Sequence, residues 1–84
     1  MSDVIAKRAK QYTLAQLKRS PRMMGELEGR RVRIWSGEWS AWWRPEGCGY
    51  TNKADEAGVY DFANAYERTR HCGREKLIGF QVVD

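Results

Sequence analysis

Arg31-Val32-Arg33-Ile34-Trp35-Ser36-Gly37 runs into Glu38-Trp39-Ser40-Ala41-Trp42-Trp43-Arg44-Pro45, and the periodicity of this stretch decides the fold. Val32 and Ile34 alternate with Arg31, Arg33 and Trp35, the period of a half-buried strand. Ser36-Gly37 supplies a tight turn, and Glu38 to Arg44 returns as a second strand. Trp39, Ala41 and Trp43 then share one face, Ser40, Trp42 and Arg44 the other. Pro45 stops that strand by removing a ladder donor, and the turn Gly47-Cys48-Gly49 leads into a short third strand, Tyr50-Thr51. At this point the sheet is antiparallel.

Downstream, Asn52 to Ala57 reads as one helical turn capped by Asn52, with Gly58 free to turn the chain. Asp61 opens the clearest helix: Phe62, Ala65, Tyr66 and Thr69 make one core-facing stripe, and Gly73 is a terminator after Cys72. Lys76 to Val83 alternates again, with Ile78, Phe80 and Val82 facing one way and Leu77, Gly79, Gln81 and Val83 the other. This strand is expected to pair with the hairpin.

Upstream, the first twenty residues are rich in helix formers, and Ser2 or Asp3 can cap the start. Thr13 and Gln16 have the spacing of a capping box, so one long helix and a helix broken near Tyr12 both satisfy the pattern. Ser20-Pro21 ends this element and can start a short second one through Met23, Met24 and Leu27, stopping at Gly29. A strand also fits that second segment. The predicted architecture is α+β: a three- to four-stranded antiparallel sheet with one helix packed on it, plus an N-terminal helix. Residues 1–20 are read as a basic helical extension and residues 21–84 as a single small domain.

Eighty-four residues, 42% of them hydrophobic and 31% charged, are too few for two cores and too apolar for a disordered tail, which excludes a two-domain enzyme. No run approaches the ~18 apolar residues of a membrane span, and the N-terminus shows no apolar h-region, so a soluble, cytoplasmic protein is expected. Charge is polarised: residues 1–34 carry nine basic and three acidic side chains, residues 35–84 six and eight. A basic N-terminal third is attracted to phosphate or to an acidic protein surface; the alternative is a solvated helix face.

The material for catalysis is thin. Cys48, His71 and Cys72 are three soft ligands, but their spacing matches no zinc motif and a fourth ligand is missing. Cys48 with His71 is the one nucleophile and base pair that folding could assemble. The glycines form neither GxxxxGK[ST] nor GxGxxG, and Asp55, Glu56 and Asp61 read as caps and exposed charge. The expectation is a chain without catalytic residues, metal or cofactor, its thiols kept free in a reducing compartment.

The strongest constellation is aromatic: Trp35, Trp39, Trp42 and Trp43 lie within nine residues, interleaved with Arg31, Arg33 and Arg44 and followed by Tyr50. Such a face can stack bases and hold phosphates, or serve as a protein-binding hot spot, or be core beneath the N-terminal helix.

The run Trp43-Arg44-Pro45, Gly49-Tyr50-Thr51, Ala57-Gly58-Val59-Tyr60, Ala65-Tyr66 and His71-Cys72-Gly73 with Glu75-Lys76 and Ile78 resembles a family of small phage and prophage accessory proteins. The similarity spans roughly residues 34–80, and Arg74 stands where the pattern often has proline. The resemblance implies a compact phage-borne protein of the size class that inhibits host defence machinery such as CRISPR complexes. The prediction is therefore a non-enzymatic binding protein that occupies a host protein or ribonucleoprotein complex, with direct nucleic-acid binding as the alternative. Its contact residues are expected to be Lys7, Arg8, Lys10, Lys18, Arg19, Arg31, Arg33, Trp35, Trp42, Arg44 and Tyr50. No membrane is expected among its partners, and the oligomeric state is left open.

Overall fold

A computed structural model describes residues 11–83. Its centre is the strand with the plainest alternation, β2 (Arg31–Ser36), in which Val32, Ile34 and Ser36 are buried and Arg31, Arg33 and Trp35 are not. One edge of β2 pairs along its length with β6 (Ile78–Val82), which pairs in turn with β1 (Gln11–Thr13). The other edge is shared: β5 (Tyr60–Asp61) takes its first half, and β3 (Ala41–Trp43) takes its second half and continues to β4 (Tyr50–Thr51). Every pairing is antiparallel, in the order β1-β6-β2-β3-β4.

Among the described residues six short strands thus replace the expected three or four. The two additional strands, β1 and β5, are two or three residues long, too short to show a period, and they exist because long-range ladders satisfy their backbone groups. The returning strand of the hairpin is also shorter than the expected Glu38 to Arg44. Gly37 N–H donates to the Leu77 carbonyl (2.9 Å) and Glu38 N–H to the Lys76 carbonyl (3.2 Å), so Gly37–Ser40 docks against the turn before β6 instead of pairing with β2.

Among the described residues three α-helices pack on one face of the sheet. In α1 (Leu14–Arg19) the capping box is present: Gln16 N–H donates to Thr13 Oγ1 and Thr13 N–H to Gln16 Oε1, both at 3.0 Å. In α2 (Pro21–Leu27) the Ser20 hydroxyl accepts from Met23 N–H and proline occupies the first turn, which settles that segment as helix. The third helix, α3 (Phe62–Thr69), buries Phe62, Ala65 and Thr69 as its stripe requires, with Tyr66 half-buried. It ends at Thr69, short of Gly73, and the expected helical turn after Asn52 is a 3-10 turn at Ala54–Glu56 without a side-chain cap.

Leu14, Leu17, Leu27 and Phe62 meet Val32, Ile34, Ile78 and Phe80 in one core, with the Phe62 and Phe80 rings edge to face at 5.6 Å. Residues 11–19 therefore belong to the sheet and core rather than to a separate extension. Residues 1–10, where Lys7, Arg8 and Lys10 fall, lie outside the described residues. Among the described residues no helix is long and apolar enough to cross a membrane.

Candidate functional site

The strand register builds a row across the sheet face opposite the helices. Thr13 pairs with Gly79, Gly79 with Trp35, Trp35 with Trp42 and Trp42 with Thr51, so one residue from each of five strands shares the row. The adjacent row runs Gln11, Gln81, Arg33. In these rows Gln81 is buried and Arg33 and Trp35 are half-buried. Trp35 and Trp42 are half-buried and meet edge to face with centroids 4.9 Å apart, a rigid apolar wall.

Gly79 interrupts this wall. Flanked by Thr13 and Trp35, it is the floor of a groove of about 300 Å³ whose other side is Gln11, Thr13 and Gln16. Leu77 closes one end; it is 63% exposed and held in the left-handed region at φ 49°, uncommon for a residue with a side chain. No charged side chain lines the groove among the described residues. Aromatic and aliphatic walls, an amide rim and a floor without a side chain make a socket for an apolar side chain flanked by hydrogen-bonding groups.

The predicted contact residues divide between faces. Trp35, Trp42 and Arg33 come together, and the Arg33 guanidinium donates to Gln81 Oε1 at 3.1 Å. Arg31 lies on the same strand, across from Asp61. Tyr50 pairs with Trp43, whose side chain packs against the core, and so lies on the opposite face from Trp42. Arg44 is past the end of β3 and outside its alternation. It donates from Nε to the Tyr50 carbonyl (3.1 Å) and from Nη2 to Glu56 Oε1 (3.3 Å). Lys18 and Arg19 end α1 on the helical side, where Lys18 Nζ reaches the Arg70 carbonyl at 2.7 Å. Trp39 does not share a strand face with Ala41 and Trp43 as the alternation predicts; it sits in the turn before β3, 62% exposed.

Sequence reasoning missed Gly79 and the amide rim. A glycine within the alternating run Ile78–Val82 was the available signal, since a strand glycine marks a close approach or a gap. The thiols are free, Cys48 exposed and Cys72 half-buried. Burial pushes the Cys72 thiol above its ordinary pKa, with Lys76 and Lys18 opposing that shift. Among the described residues no three His, Cys, Asp or Glu side chains are grouped to hold a metal ion.

Comparison with known proteins finds no matching family model, no matching curated protein and no matching solved structure.

Proposed function

We propose that the chain is a non-enzymatic binding protein that occupies a host protein or ribonucleoprotein complex through the face carrying Trp35, Trp42 and the Gly79 groove. The groove itself carries this reading: it combines a tryptophan pair with a neutral amide rim and a floor open to one inserted side chain. Trp-rich, desolvating surfaces of this kind concentrate binding energy in protein interfaces. The resemblance to phage and prophage accessory proteins supplies the setting, in which the complex occupied is a host defence assembly such as a CRISPR complex. Direct nucleic-acid binding finds less support on this face, because among the described residues the groove is lined by no cation to meet phosphate.

The test is affinity capture from nuclease-treated host lysate with the wild-type chain and Gly79→Val. A Cβ at Gly79 meets only ordinary contacts, 3.5 Å from the Tyr12 carbonyl oxygen and 3.9 Å from Trp35 Cβ, so the floor accepts a β-carbon; valine adds two methyls that fill the groove, and circular dichroism checks that the variant keeps the fold. A partner retained by the wild type and lost by the variant supports the proposal. Equal capture by both, or a partner lost on nuclease treatment alone, refutes it.

A further inference from the structure

Two aromatic rings that the core does not use stand at the other side of the sheet. Trp39 is 62% exposed and Tyr50 46% exposed, with centroids 6.2 Å apart and planes inclined by 36°. They open onto a shallow, solvent-open cleft that also takes in Asn52, Arg44, Lys53 and Glu56. Neither ring is held by the hydrophobic cluster, yet both are placed. Ser40 sits at φ 50° next to Trp39, and Tyr50 is braced edge to face by Trp43 at 6.3 Å and lies in β4 against β3.

Charge distinguishes this cleft from the groove, whose described lining residues carry none. Arg44 and Lys53 share one carboxylate, Glu56, at 3.3 and 4.0 Å, which leaves one positive charge in excess. Arg44 uses two donors, on the Tyr50 carbonyl and Glu56, and a guanidinium has five. Lys53 has an ammonium on a side chain 68% exposed, and its ion pair with Glu56 is long. A cationic side chain is thus a poor occupant. A flat ring attached to an anion fits: the ring stacks on Trp39 and Tyr50 while phosphate meets Lys53 and the remaining Arg44 donors.

We infer that the Trp39–Tyr50 cleft is a stacking site for a nucleobase of single-stranded nucleic acid, with Arg44 and Lys53 holding its phosphate. The site is separate from the groove proposed for the protein partner, and each can fail without the other. Taken together they suit a ribonucleoprotein, whose protein and exposed strand would meet the two faces.

The experiment measures fluorescence anisotropy of a labelled oligothymidine of about 12 nucleotides against an abasic strand with the same phosphates, at about 0.15 M salt. Oligothymidine is expected to bind roughly tenfold or more tighter than the abasic strand, the advantage that base stacking confers. Trp39→Ala is expected to bring oligothymidine to the abasic level, and Lys53→Gln to weaken both strands. Trp39 lies outside the core, and circular dichroism checks that its variant keeps the fold. Gly79→Val should leave oligothymidine binding unchanged. Equal affinity for the two strands, unaltered binding by Trp39→Ala, loss of binding in Gly79→Val or no binding at all would each overturn the proposal.

Discussion

Gly58→Ala tests how the loop carrying Arg44 is held. A Cβ at Gly58 would lie 2.8 Å from both Cα and N of Pro45 and 2.8 Å from Tyr60 Cε1. Carbon atoms in contact sit ~3.5–4.0 Å apart, so the overlap approaches 1 Å, and two of the three atoms are backbone. Neither side is free to yield. Gly58 N–H donates to the Trp43 carbonyl at 2.8 Å, and the Tyr60 hydroxyl, which donates to the Arg44 carbonyl and accepts from Gly47 N–H, ties both ends of the Pro45 turn. Overpacking of this kind costs about 1–3 kcal/mol, and displacing the turn forfeits Tyr60 hydrogen bonds of ~1 kcal/mol each. The expected loss is therefore ~2–4 kcal/mol, read from the denaturant midpoint at unchanged slope. If relief of the clash breaks the Tyr60 bonds, the same substitution costs less in a Tyr60→Phe background, by ~1 kcal/mol. A loss below ~0.5 kcal/mol, or strict additivity in the double variant, would refute the account of this loop.

Trp42→Ala and Phe80→Ala separate the two sheet faces: Phe80, fully buried, should cost ~3–5 kcal/mol, and Trp42, facing away from the helices, distinctly less, with urea unfolding as the check. The Tyr12 hydroxyl donates to Glu26 at 2.9 Å, and this bond, followed by burial, raises its pKa above 10.0. The unfolded chain then loses this proton first, so the stabilisation is complete below pH 10.0 and declines as pH rises through the folded value; Tyr12→Phe should flatten that decline. Iodoacetamide at neutral pH should label exposed Cys48 before Cys72, whose burial raises its pKa, and mass spectrometry of a time course reads the order directly.

What was legible in the sequence was whatever repeats locally. Val32 and Ile34 in β2, Ile78, Phe80 and Val82 in β6, and the Phe62, Ala65, Thr69 stripe of α3 each show their period over several residues, and each buries the predicted side. Caps were equally readable, because Thr13 with Gln16 and Ser20 with Pro21 act within one turn. Gln11–Thr13 was not, since helix-forming composition surrounds three residues whose conformation is set by a ladder with the far end of the chain. The site was half legible for the same reason. Trp35 and Trp42 meet across a predicted hairpin, whereas the docking of Gly37 on Leu77 shortens β3 and leaves Trp39 outside its alternation. Gly79 acquires meaning only from the register that sets it between Thr13 and Trp35.

The groove as a protein-binding surface is the central claim, and the indole N–H resonances of the four tryptophans test it most directly when the captured partner is titrated into labelled protein. The prediction is that Trp35 and Trp42 shift together with the Gly79 and Thr13 amides, while Trp43, packed against the core, stays in place. Shifts confined to the helices, with Trp35 and Trp42 unmoved, would contradict it.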